Sequence, residues 1–189
     1  STPTCGGIAG AGRMSAKVAL LRGVNVSGAG KLPMAEFRTL LEGLGLRRVD
    51  TYIQSGNAVF DSDLAAPALE AMIRDAVAAR FGFSPETFVL EADEISDALT
   101  DHPFAGAEGN RVHVFFLRQT PQPDEAALKA LAKTGDGWHI GPRRFTLHTP
   151  GGVGTSKLAE KLPRFLPAPM TARNLRTVAA LQALLAAKA

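Results

Sequence analysis

The chain has 189 residues, 46% of them hydrophobic and 21% charged, enough apolar content to bury one core or two small ones and too much for an unfolded polymer. A net charge of +3 hides an uneven layout: residues 1–49 carry seven Lys/Arg against two Asp/Glu, residues 50–139 six against fifteen, and residues 140–189 eight against one. No apolar run approaches the roughly 18 residues of a membrane helix, and Cys5 is the only cysteine, which excludes an internal disulfide.

Residues 1–13 lack the basic start and apolar stretch of a secretory signal, and Met14 follows as a native start. They are read as a tag remnant or disordered tail, and a cytoplasmic location is expected. Residues 17–22 form a continuous apolar run of the kind found in a buried central strand. The loop over 23–32 holds Gly23, Gly28 and Gly30. Pro33 then suits the first turn of a helix whose Met34, Phe37, Leu40, Leu41 and Leu44 share one face before Gly45 stops it. Residues 49–54 and 57–60 predict a hairpin turning at Ser55-Gly56. A second helix, with Asp63 as its expected cap, carries Leu69, Met72, Ile73, Ala76, Val77 and Phe81 as its stripe and ends at Gly82. A strand over 87–91 follows, and then a short helix capped by Asp93 that must stop before Pro103.

The second half starts the same series again. Residues 111–118 predict a strand whose Leu117-Arg118 echoes Leu21-Arg22; residues 123–133 predict a helix, and 137–140 with 144–148 a hairpin around Pro142. Helices are expected over 156–165 and 171–188, separated by Pro167 and Pro169. Both halves thus read strand, helix, hairpin, helix, and the first adds a further strand. A β-α-β-β-α-β order is the split βαβ arrangement. The expected fold class is α+β: two related ferredoxin-like subdomains, 14–105 and 106–189, each an antiparallel sheet with helices on one face.

Three stretches could carry chemistry. The first loop places strand, glycines, Lys31 and helix in the order of a phosphate-binding loop, but Asn25 and Leu32 stand where that motif needs glycine and a hydroxyl residue. Arg22, Asn25 and Lys31, with backbone N–H groups near a helix start, remain suited to an anion. The second stretch, PGGVGTSKL, has Ser156 as a natural helix cap and Lys157 in a first turn, an unfavourable sign for the helix dipole unless an anion sits there. The third, TARNLR, puts Arg173 and Asn174 at the expected start of the final helix, where the planar guanidinium matches phosphate or carboxylate. Gln54, Ser55 and Asn57 add neutral hydrogen-bonding groups at the first hairpin, and ordinary turn chemistry also explains Ser55.

The segments ALLRGVNVSGAGKLPMAEFRTLLEGLG, TYIQSGNAVF, GVGTSKL and TARNLRTV resemble the recurring blocks of a bacterial domain-of-unknown-function family, family 1697, from Lys17 to about Leu185. That resemblance implies an α+β fold and no established activity, cofactor or catalytic residue. Its motifs mark Arg22, Asn25, Lys31, Gln54, Ser55, Asn57, Ser156, Lys157, Arg173 and Asn174. The family commonly has tryptophan after the Arg-Asn pair; Leu175 stands here, removing an indole that could stack on a ligand.

Other chemistries are poorly served. His102, His113, His139 and His148 lack metal-ligand spacing, so no metal is expected; no paired carboxylates flank the glycine loops. An RNA reader with stacking aromatics would find only Phe60 on its central strands. The expectation is a binding protein whose two basic ends meet as one face holding a phosphate-bearing ligand, a nucleic acid or a nucleotide. The alternatives are an enzyme acting on a small anionic substrate in a pocket between subdomains, and a protein–protein interaction module. No cofactor and no membrane association are expected.

Overall fold

The computed structural model describes residues 11–26, 28 and 30–189. The expected tail over 1–13 lies outside these residues except for its last three, which already belong to the first strand. The elements of the first half are β1 (Ala11–Leu21), α1 (Met34–Gly43), β2 (Arg47–Tyr52), β3 (Asn57–Leu64), α2 (Ala66–Phe81) and β4 (Thr87–Glu91). Its sheet has the order β2-β3-β1-β4 with every pairing antiparallel, so the split βαβ topology is present. β1 is central because Val18, Ala19, Leu20 and Leu21 are all fully buried, as a two-sided apolar run requires.

One sheet face packs on both helices. Ala19 and Leu21 of β1, Ala58 and Phe60 of β3 and Val89 of β4 meet Phe37 and Leu41 of α1 and Leu69, Ile73 and Val77 of α2. Each large side chain so buried contributes about 1.5–3 kcal/mol, which makes this cluster the main force fixing the loops at its rim. α2 starts at Ala66 with Pro67 in its first turn, and Asp63 stays on β3 instead of capping it: the fixed φ of proline suits a first turn better than the extended backbone of Asp63 does. On β2 one extra residue interrupts the register between Arg47 and Asp50, and Arg48 takes φ 49 while its Nε lies 2.5 Å from Asp61 Oδ2.

The chain divides into two compact units between Glu91 and Ala92, before the expected boundary at 105. α3 (Ala92–Thr100) belongs with the second unit because it packs on the last helix, where Ser96 Oγ donates to Gln182 Oε1 at 2.9 Å. The second unit continues with β5 (Val112–Leu117), α4 (Glu125–Leu131), β6 (Gly137–Gly141), β7 (Arg144–His148), α5 (Lys157–Lys161), β8 (Met170–Asn174) and α6 (Leu175–Ala186). Its sheet order is β6-β7-β5-β8, again antiparallel throughout, so it repeats the first topology strand for strand. Leu117, Leu128, Phe145, Leu147, Leu158, Leu162 and Met170 form its core.

β8 corrects one expectation. Residues 171–174 extend a strand beside β5, and the final helix begins only at Leu175. Asn174 is the reason: its side chain competes with helical backbone bonding and prefers the cap, so the helix starts after it.

Candidate functional site

The first loop is organised by Asn25, which adopts a left-handed φ of 55 that asparagine tolerates better than most residues. Its side-chain amide donates to the carbonyls of Leu32 at 2.7 Å and Gln54 at 2.8 Å, and its Oδ1 accepts from the Leu32 N–H at 2.7 Å. The Asn25 N–H donates to the Gly30 carbonyl at 3.0 Å. One asparagine therefore ties both ends of the loop to each other and to the β2–β3 hairpin.

The hairpin is braced as well. Asn57, fully buried, donates to Ser55 Oγ at 2.8 Å and to the Tyr52 carbonyl at 3.1 Å, while the Leu21 N–H donates to the Gly56 carbonyl at 2.9 Å. Asn25, Ser55 and Asn57 are thus construction residues as much as ligand candidates, and Gln54 contributes its backbone carbonyl and leaves its side chain exposed. Arg22 follows the Leu21–Gly56 bond and Lys31 precedes Leu32, so these two cations flank the clamp, and both are exposed. Val26 and Ile53 are 56% and 50% exposed on either side of it. Ile53 has φ 47, a strained conformation for a β-branched side chain.

Among the described residues, neither Arg22 nor Lys31 has a carboxylate partner. Most other cations of this unit do: Lys17 pairs with Glu91, Arg38 with Glu42, Arg48 with Asp61, Arg74 with Asp75 and Arg80 with Glu36. Arg13 and the edge-strand Arg47 share the lack of a partner.

In the second unit the four expected residues separate by role. Ser156 is buried and its Oγ accepts from the Ala159 N–H at 3.0 Å as the cap of α5; Asn174 Oδ1 accepts from the Thr177 N–H at 3.0 Å as the cap of α6. Lys157 is exposed. Arg173 is not a first-turn residue: it sits on β8, 8% exposed, with Nη1 donating to Thr171 Oγ1 at 2.7 Å and to the Ala172 carbonyl at 2.9 Å. Burial lowers its pKa to about 10. His148 and Asn174 both lie opposite the start of β5, at Val112 and His113, so the loop before Lys157 and the start of α6 stand at one end of this sheet. Arg111 belongs to the same end, its Nη1 lying close over Gly152, whose φ of 98 favours glycine.

Sequence reading missed Arg144, which is 5% exposed on β7 with Nη2 2.5 Å from Asp101 Oδ2. His139 Nε2 is 3.7 Å from the other oxygen of Asp101. Arg144 Nε and the hydroxyl of Thr146 are buried with no hydrogen-bond partner among the described residues. The available signal was the polar Arg-x-Thr-x-His alternation along β7. His113 Nδ1 is likewise buried without a partner, and desolvation lowers its pKa below 6.5. Among the described residues, no helix is long and apolar enough to cross a membrane.

Comparison with known proteins adds a family and a fold. The family model described as "Protein of unknown function (DUF1697)" matches residues 14–145, ending before the last two motifs of the resemblance. A conserved bacterial protein from Streptococcus pneumoniae has a similar structure, with TM-score 0.70 and 24% sequence identity over 92% of this chain and 99% of that one. At that identity the likeness establishes the architecture. No curated protein matches the sequence.

Proposed function

This chain belongs to the DUF1697 family of proteins of unknown function, and we propose that it binds a phosphate-bearing ligand, a nucleic acid or a nucleotide, at the clamped loop of its first unit. The observation that carries this reading is the contrast among cations. Lys17, Arg38, Arg48, Arg74 and Arg80 are neutralised by carboxylates, whereas Arg22 and Lys31, held on either side of Asn25, have none among the described residues. An unneutralised pair on a braced loop presents positive potential without the ordering cost of a mobile segment. The exposed Val26 and Ile53 beside it suit the less polar part of an organic phosphate. Arg173, Asn174 and Ser156 act behind the surface, as strand and cap residues.

Fluorescence anisotropy with labelled single- and double-stranded oligonucleotides over a series of salt concentrations tests the nucleic-acid form. Affinity should fall linearly on a log–log plot, and Lys31→Ala should reduce the slope by about one contact. Calorimetric titration with mononucleotides tests the small-ligand form. Absence of binding in both assays, or binding indifferent to salt and to Lys31, rejects the proposal.

A further inference from the structure

The two units share a Phe-x-Pro segment just before their last strand, Phe83-Ser84-Pro85 ahead of β4 and Phe165-Leu166-Pro167 ahead of β8. In the first unit the loop after β1 lies directly on that aromatic ring: a Cβ added to Gly30 would stand 2.5 Å from Phe83 Cγ and Cε1, so a bare peptide unit covers the ring face. The corresponding loop after β5 is shorter, and Phe165, like Phe83, is half-buried against the core of its own unit. A cavity of about 350 Å³ opens beside it, lined by Gln119, Thr120, Pro121, Gln122, Phe165 and Pro167. Thr120 Oγ1 already accepts the Arg143 N–H at 3.1 Å, which fixes the loop's position. Gln119 and Gln122 are exposed, and each brings both donors and an acceptor in one plane.

We propose that this cavity is a nucleobase subsite, in which a planar heterocycle stacks on Phe165 where the first unit stacks its own peptide, and Gln119 and Gln122 bond its edge. An aromatic face with neutral amides is how unpaired bases are held, because every base has a π-face and an edge of mixed donors and acceptors. The lining carries no charge, which suits a neutral ring better than a carboxylate or an amine. The exposed Arg164 precedes Phe165 in the chain, a cation adjacent in sequence for a phosphate borne by the same ligand. This inference deepens the reading above by naming the part of the ligand that is not phosphate, and it concerns a different loop in a different unit.

The test uses the full chain, isotopically labelled, with nucleosides that carry no phosphate. Titration with adenosine, guanosine, cytidine and uridine should shift the side-chain amide resonances of Gln119 and Gln122 saturably, with ribose 5-phosphate leaving them in place. Phe165→Leu keeps apolar bulk and loses the aromatic face, so nucleoside affinity should weaken about tenfold while the remaining amide spectrum stays native. The inference is overturned if no nucleoside moves those resonances, if ribose 5-phosphate moves them equally, or if Phe165→Leu binds like the wild type. Nucleoside shifts that survive in Lys31→Ala, with phosphate-dependent binding unaffected by that substitution, sink the first-loop reading and leave this one standing.

Discussion

Replacing Asn25 by glycine isolates what its side chain contributes, because glycine accepts the φ of 55 without strain. Three hydrogen bonds disappear, to the Leu32 N–H and to the carbonyls of Leu32 and Gln54, at 2.7, 2.7 and 2.8 Å. Each contributes about 0.5–1.5 kcal/mol net, and the half-exposed setting favours the lower end, so about 2 kcal/mol is expected. That corresponds to a roughly 30-fold rise in local opening, at 1.4 kcal/mol per factor of ten. Asn25→Ala should cost about 1–2 kcal/mol more, since alanine must also hold a left-handed backbone. Urea denaturation reads the global loss and amide hydrogen exchange at Leu32 reads the local one. If Asn25→Gly unfolds at the wild-type midpoint and Leu32 exchanges no faster, the clamp has been misjudged. The same variant should weaken ligand binding at the loop although Arg22 and Lys31 are untouched.

Ser156→Ala and Asn174→Ala should each destabilise by about 1 kcal/mol through loss of a cap, with oligonucleotide affinity unchanged; a binding defect larger than the stability defect would show that they touch ligand. Ile53→Gly should stabilise by about 1 kcal/mol by relieving the left-handed backbone of a branched residue, measured by thermal or urea unfolding. His113 is lowered below its ordinary 6.5 by burial, so the unfolded chain binds its proton first. Stability should therefore be full above pH 6.5 and decline as pH falls through and below that value, and His113→Phe should flatten the decline. An unchanged pH profile in that variant would assign the dependence to other groups.

The architecture was readable because its signals are local and repeated: an apolar run at β1, one-sided stripes on α1 and α2, and a hairpin turn ending at Gly56. Strand 87–91 was placed to the residue. β8 was not, since Ala172 and Arg173 are good helix formers and only pairing with β5 makes them extended. Tertiary partners also decided the fate of α3, whose sequence says helix but not that α6 receives it. Of the ten candidate site residues, the sequence showed where unusual polar groups collect without showing what they do. Asn25 and Asn57 turn inward to backbone carbonyls, whereas Arg22 and Lys31 stay exposed, and that sorting depends on which backbone groups the fold leaves unpaired. A lone phenylalanine near prolines reads as core in the sequence, and Phe165 is indeed half-buried; that it also lines a cavity is visible only in the fold.

The irregular pairing of β2 has a bearing on what happens at high protein concentration. The outermost ladder of the first sheet is broken between Arg47 and Asp50, with Arg48 turned aside and fastened to Asp61. A strand arriving from a neighbouring molecule meets interrupted spacing and the unpartnered charge of Arg47 there, two devices that discourage uncontrolled stacking of chains.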